Sequence, residues 1–165
     1  MIEYVVALVL IIAIGASVCL INEKLKRDRR LTIPFKESMD LLSMPIITFE
    51  NNGNKLHFLL DTGSNNSLID ADCLENLEII AKRNIQEVMV TAGNSVPLMG
   101  EIIMDISYLE IPFKEKFTVT SLSKQFDEAF EGKIKVHGII GSKFLRRNKC
   151  ILDFEKLAVY YNTKK

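Results

Sequence analysis

The chain has 165 residues, and its 21 Lys and Arg balance its 21 Asp and Glu, so the formal charge is zero. No basic, aromatic-interleaved patch is present, and nucleic-acid binding has no support. With the first thirty residues set aside, about 135 remain, enough for one domain with its own core and too few for two.

Residues Tyr4 to Ile21 carry no formal charge and are rich in Val, Leu and Ile. At about 1.5 Å per residue, a helix of this length reaches about 27 Å, close to the thickness of a bilayer core. Only Met1, Ile2 and the acidic Glu3 precede the run, so it lacks the basic start of a signal peptide, and it has no polar stripe to suit a soluble core helix. The expectation is a single-pass membrane anchor over residues 1–21. Lys24, Lys26, Arg27, Arg29 and Arg30 crowd its far flank. By the positive-inside tendency this places the remainder in the cytoplasm, and it suits contact with anionic headgroups. Cys19 lies within the run, while Cys73 and Cys150 fit reduced thiols, with a single disulfide between them as the alternative. Residues 22–43 read as a charged, then mixed juxtamembrane linker broken at Pro34, and residues 44–165 as the folded domain.

Pro45 to Glu50 and Lys55 to Leu60 flank Asn51-Asn52-Gly53-Asn54 and read as a β-hairpin, because Asn-Gly tolerates the positive φ of tight hairpin turns. The second strand delivers Asp61-Thr62-Gly63-Ser64. A carboxylate at the end of an apolar strand is costly to desolvate unless it is hydrogen-bonded or shares a proton with another acid. Thr62 and Ser64 bring hydroxyls, and Gly63 permits close backbone approach. Leu74, Leu77, Ile80 and Ala81 have the spacing of a short amphipathic helix over 71–81, with Asp70 as its cap. Val88 to Met99 reads as two short strands about an Ala-Gly-Asn-Ser turn, and Ile102 to Leu109 and Glu115 to Thr120 as further strands. A helix is expected from Ser123 to Gly132, with Phe126 and Phe130 four apart as core cover. His137-Gly138-Ile139-Ile140-Gly141 is a short apolar strand clamped by glycines. A helical turn over 142–147 and strands at Cys150 to Phe154 and Leu157 to Tyr161 follow it.

With DTGS inside an apolar strand, and GIIGSKFL and ILDFEKLAVYY some eighty residues later, residues 44–162 resemble the retropepsin-like aspartic proteases, the single-domain relatives of the retroviral proteases and of each pepsin lobe. The resemblance implies an all-β fold, a β-barrel with one or two short helices. It makes Asp61 the catalytic acid. Thr62 would lock the two active-site loops across a dimer axis, Gly63 would offer its carbonyl to the substrate main chain, and Ile139 or Ile140 would line a substrate pocket. Residues 88–99 fall where the family places its flap, although an ordinary edge hairpin fits them equally. By likeness to the pepsin pattern, the Ser64 hydroxyl would donate to Asp61 and move the pH optimum toward acid.

The family's chemistry uses two facing carboxylates that share a proton, one as general base on a water and the other polarising the scissile carbonyl. Asp70, Asp105, Asp127 and Asp153 all lack a following Thr/Ser-Gly, so a catalytic partner must be Asp61 of a second copy. This predicts a symmetric homodimer acting on a polypeptide. Many retroviral relatives pair an Asp two residues after the motif's Gly with an Arg after the second glycine-flanked strand; here those places hold Asn65 and Ser142, so the dimer contact must be supported differently. His57, His137 and the cysteines make no recognised metal-ligand spacing, and neither a metal nor a cofactor is expected. A nucleophile built from Cys73 and His137 has no local motif behind it. The rivals to a membrane-anchored endopeptidase are a tethered peptide-binding or dimerisation module of the same fold, and an anchor in which DTGS is only a turn.

Overall fold

A computed structural model describes residues 30–91 and 94–162. The strands, in chain order, are β1 (Arg30–Pro34), β2 (Ile46–Asn51), β3 (Asn54–Asp61), β4 (Ser67–Asp70), β5 (Ala81–Thr91), β6 (Asn94–Tyr108), β7 (Ile111–Thr120), β8 (Gly138–Gly141), β9 (Ile151–Asp153) and β10 (Ala158–Asn162). Three short helices, α1 (Lys36–Leu42), α2 (Ser123–Phe130) and α3 (Ser142–Arg147), join them. Among the described residues no helix is long and apolar enough to cross a membrane; the expected anchor over 1–21 lies outside them.

Six strands close into a barrel in the order β2-β3-β8-β4-β7-β6, with Glu50 of β2 paired to Ser107 of β6 at the seam. Asn51, buried beside the seam, ties it shut. Its side-chain amide donates to the carbonyls of Asp105 at 2.8 Å and Glu78 at 3.1 Å, and its oxygen accepts from the Glu78 N–H at 2.7 Å. Strand alternation fills the interior. Leu56, Phe58 and Leu60 of β3 point inward, while His57, Leu59 and Asp61 occupy the other face and are half-buried. Inside, Phe49 packs edge-to-face on Phe58, Phe113 and Phe144 with ring centroids 6.2, 5.6 and 6.0 Å away. Each such ring contributes about 2 kcal/mol or more by burial. A smaller cluster lies outside the barrel, where Phe126 and Phe130 of α2 cover Ile46 and Leu68 and pack against Ile139. This is the core-cover role expected of those rings.

The Asn-Gly hairpin forms as read: Asn52 and Gly53 take φ of 48° and 79° between β2 and β3. Elsewhere the readings are revised. The second half of the 22–43 linker is part of the fold, because β1 pairs antiparallel with β10, and Leu31, Ile33 and Phe35 are buried in the main core. The helix expected over 71–81 shrinks to a 3-10 turn at Ala71–Asn76. Asp70 does not cap it; its carboxylate accepts instead from the Leu122 and Ser123 amides at the start of α2, at 2.8 and 3.3 Å. Asn51 then holds Glu78 in an extended chain. The two short strands over 88–99 belong to one long hairpin, in which β5 pairs with β6 from Ala81 opposite Ile103 to Thr91 opposite Asn94, with a register shift between Asn84 and Glu87. Pro97 lies within that register opposite Val88 and does not end the pairing. Ala92 and Gly93 at the expected flap tip lie outside the described residues.

β8 is inserted between β3, to which it runs parallel, and β4, to which it runs antiparallel. That slot is too narrow for side chains at both ends of β8. A Cβ on Gly138 would sit 2.2 Å from the Leu68 carbonyl oxygen, and one on Gly141 would sit 2.4 Å from that of Asn66. Gly138→Ala is therefore expected to destabilise the fold by about 3 kcal/mol, since neighbouring backbone must move; the shift of the urea unfolding midpoint against wild type measures it.

Candidate active site

Asp61 ends β3 directly opposite Gly141, the last residue of β8. The chain then turns sharply. The Gly63 N–H donates to Asp61 Oδ1 at 2.8 Å and the Ser64 N–H to the Asp61 carbonyl at 3.2 Å. A Cβ on Gly63 would lie 3.1 Å from that same Oδ1, so glycine lets the turn close tightly over the carboxylate.

The loop rests on the second motif. The Ser142 N–H donates to the Ser64 carbonyl at 2.8 Å and the Lys143 N–H to the Asn65 carbonyl at 3.2 Å. The Gly141 N–H reaches the buried Ser67 hydroxyl at 3.3 Å, and Lys143 Nζ donates to Asn66 Oδ1 at 2.9 Å. The segments that hold Asn65 and Ser142 are thus joined through the main chain, Ser142 to Ser64 and Lys143 to Asn65. Further along α3, Arg147 binds the buried carboxylate of Glu115 and the carbonyl of Lys114, which pins the helix to β7.

Thr62 and Gly63 are exposed, and Asp61 and Ser64 are half-exposed. One expectation needs correction, that Ser64 donates to Asp61, and the choice between Ile139 and Ile140 narrows. Ser64 Oγ donates to the Asn66 carbonyl at 2.7 Å and so braces the loop itself. It is not placed to tune Asp61. Ile140 is fully buried in the barrel core, so of the two candidate pocket residues only Ile139 keeps any exposure, on the face packed against the α2 cluster.

The remaining acids singled out in the sequence have other surroundings. Asp70 is buried under α2 with both bonds described above, Asp153 accepts from the Lys156 N–H at 2.9 Å, and Asp105 and Asp127 are exposed on β6 and α2. Cys73 and Cys150 are free thiols, and burial pushes each up to about 11, far from the thiolate a nucleophile needs. Cys73 Sγ meets the carbonyl of His137 at 3.8 Å, not its ring, so no Cys–His pair forms. Among the described residues no group of three His, Cys, Asp or Glu is placed to hold a metal. A cavity of about 460 Å³ opens between α1, β2 and β3, lined by Phe35, Leu42, Ile46, His57 and Tyr108; Asp61 is not in its wall. The carboxylate is half-exposed.

Sequence reasoning missed Asn66, Ser67 and Lys143 as supports of the loop. Their bonds run between segments that no motif links in advance. Since Ser64 serves the loop, Ser64→Ala is expected to lower stability by no more than about 1 kcal/mol, measured as the shift of the urea unfolding midpoint against wild type.

The aspartyl protease family profile matches residues 47–144, a span that includes both motifs. The retroviral protease-like domain of Ddi1 from Leishmania major superposes with a TM-score of 0.53 at 16% identity, covering 73% of this chain and 90% of that one. EIAV protease, solved with the inhibitor HBY-793, is 20% identical over 67% of this chain and 93% of its own, with a TM-score of 0.49. No curated protein matches the sequence. The closed barrel, the strand-end Asp-Thr-Gly and the glycine-flanked β8 beneath it agree with that profile: the chain belongs to the aspartyl protease family and has the retropepsin-like fold.

Proposed function

We propose that the protein is an aspartic endopeptidase completed by a second copy of itself, with Asp61 of each chain forming one catalytic dyad on a two-fold axis, and that residues 1–21 hold it to a membrane with the domain in the cytoplasm. The observation that carries the reading is Asp61 on an exposed, braced turn at the end of β3, in a one-barrel chain without a second Asp-Thr-Gly. One ionised carboxylate takes a proton from the attacking water while the other, protonated, donates to the scissile carbonyl oxygen. The tetrahedral adduct then collapses as a proton passes to the leaving amine. Exposed Thr62 and Gly63 are free to meet the partner loop and the substrate main chain. The β5–β6 hairpin supplies the flap that covers the peptide.

Asp61→Asn is expected to lower cleavage of a denatured protein mixture by at least about a hundredfold with near-native unfolding. Equal amounts of wild-type and Asp61→Asn chains, unfolded and refolded together, are expected to show about half the activity of the wild-type chains refolded alone, because mixed pairs lack one carboxylate. Undiminished activity would falsify the shared dyad. Peptide binding without cleavage by the wild-type chain would favour the non-catalytic module.

The anchor raises the effective concentration of chains and so favours pairing. Specific activity of a fragment covering residues 22–165 is expected to fall on dilution before that of the membrane-bound chain does. The fragment has to begin before Arg30, since β1 is the partner of β10. Equal dilution curves would leave the anchor a role in location alone.

A further inference from the structure

His57 of β3 and His137, the residue before β8, face each other with ring centroids 5.6 Å apart. The His57 backbone N–H donates to His137 Nδ1 at 3.0 Å, and the His137 N–H donates to the His57 carbonyl at 2.8 Å. The His57 ring Nδ1 in turn lies 2.8 Å from Thr48 Oγ1 on β2. The carbonyl of His137 accepts from the Asp70 N–H of β4 at 2.9 Å, so this one residue joins β3 and β4 at the mouth of the slot that β8 fills. A ring nitrogen that accepts a backbone N–H carries no proton, and this bond exists only while His137 is neutral.

We propose that His137, seated against His57, is an acid-sensitive latch on β8: a proton taken from solvent onto His137 Nδ1 removes the acceptor, leaves the His57 N–H without its partner and weakens the tie of the start of β8 to β3, where the bond from the His137 N–H to the His57 carbonyl remains. The surroundings oppose that proton until the solution is clearly acidic. Burial first, then His57 and Lys135, hold the His137 ring down to about 4, with Asp70 as the one carboxylate that favours the charge. Burial and then Lys55 on β3 lower His57 as well. An unfolded histidine titrates near about 6.5, so the unfolded chain takes up the proton first. The latch therefore contributes its full stability above about pH 6.5, loses it as the pH falls, and has lost it by about pH 4, where the folded ring itself protonates and the bond opens.

The position matters because His57 and Asp61 share a face of β3, about 13 Å apart at the usual strand rise, while the far end of β8 is the bed of the Asp61 loop. Releasing β8 loosens the support of the carboxylate, so the acid limit of the domain is set by its fold. The proposal rests on the fold and not on the peptidase reading.

Urea unfolding of the full chain, followed by circular dichroism at about pH 7.5 and about pH 4.5, tests it against His137→Asn, which keeps an acceptor near the Nδ1 position without titrating. Contributions of the carboxylates are common to both chains and cancel. The unfolding constant of wild type is expected to rise between the two conditions by about seventyfold more than that of the variant; equal rises overturn the latch. Ring titration by NMR on the wild-type chain stands independently of whether the variant folds. His137 is expected to titrate below about pH 5, with exchange of the His57 amide proton accelerating in step. A ring that titrates near its ordinary value, or an amide indifferent to it, also overturns the proposal.

Discussion

The seating of β8 between β3 and β4 is the constraint on which the rest of the structure depends. All four residues, Gly138 to Gly141, pair with β3, Gly138 and Ile139 pair with β4 as well, and the glycines at each end let the strand approach the carbonyls of Leu68 and Asn66 more closely than any side chain would allow. The two isoleucines between them point to opposite faces, so Ile140 enters the barrel core and Ile139 the cluster beneath α2. One strand thus joins both cores and ends against the Asp61 loop. The main-chain bonds from Ser142 and Lys143, just after it, to Ser64 and Asn65, together with the Ser67 hydroxyl, hold that loop in place.

Buried polar groups close the architecture around that strand. Asn51 fastens the seam of the barrel, Asp70 holds the start of α2, and the Ser38 hydroxyl links α1 to the first residue of β2 through the Ile46 N–H at 2.9 Å. Each replaces solvent with a specific backbone partner, so its burial costs little, and among the described residues no buried side-chain nitrogen or oxygen is left without one. On the Asp61 loop, by contrast, Thr62, Gly63, Asn65 and Asn66 are exposed. Under the proposed dyad, a second copy would bring the same loop to the two-fold axis.

Much of this was legible in the sequence. The Asn-Gly turn announced the β2–β3 hairpin because its φ values are ones that few residue types accept, and the Phe126–Phe130 spacing announced α2 as a covering helix. The turn between β6 and β7 gave no such signal. Leu109 and Glu110 both take positive φ, at 49° and 63°, which neither residue favours; the long pairing of β6 with β7 imposes it. The same override explains the missing helix after Asp70. Its periodicity was genuine, but Asp70 was claimed by α2 and Glu78 by Asn51, contacts of 52 and 27 residues' separation that no local pattern contains. β1 was read as linker because its pairing partner, β10, lies more than a hundred residues away.

The sequence by itself determined the family, the single strand-end carboxylate, and the need for a second copy if that carboxylate is catalytic, because these depend on which residues follow Asp61 and on how much chain there is. Only the tertiary structure decided what surrounds them: that Ser64 braces the loop instead of tuning Asp61, that Ile140 is core, that the main chains of Ser64 and Asn65 meet those of Ser142 and Lys143, and that His57 and His137 share a bond. Apart from the Ser64 bond, which is local, those outcomes turn on approaches of a few ångströms between segments some eighty residues apart, and hydrogen bonds are short-ranged and directional. Residue type sets what a side chain can do; which partner lies within reach is set by the packing.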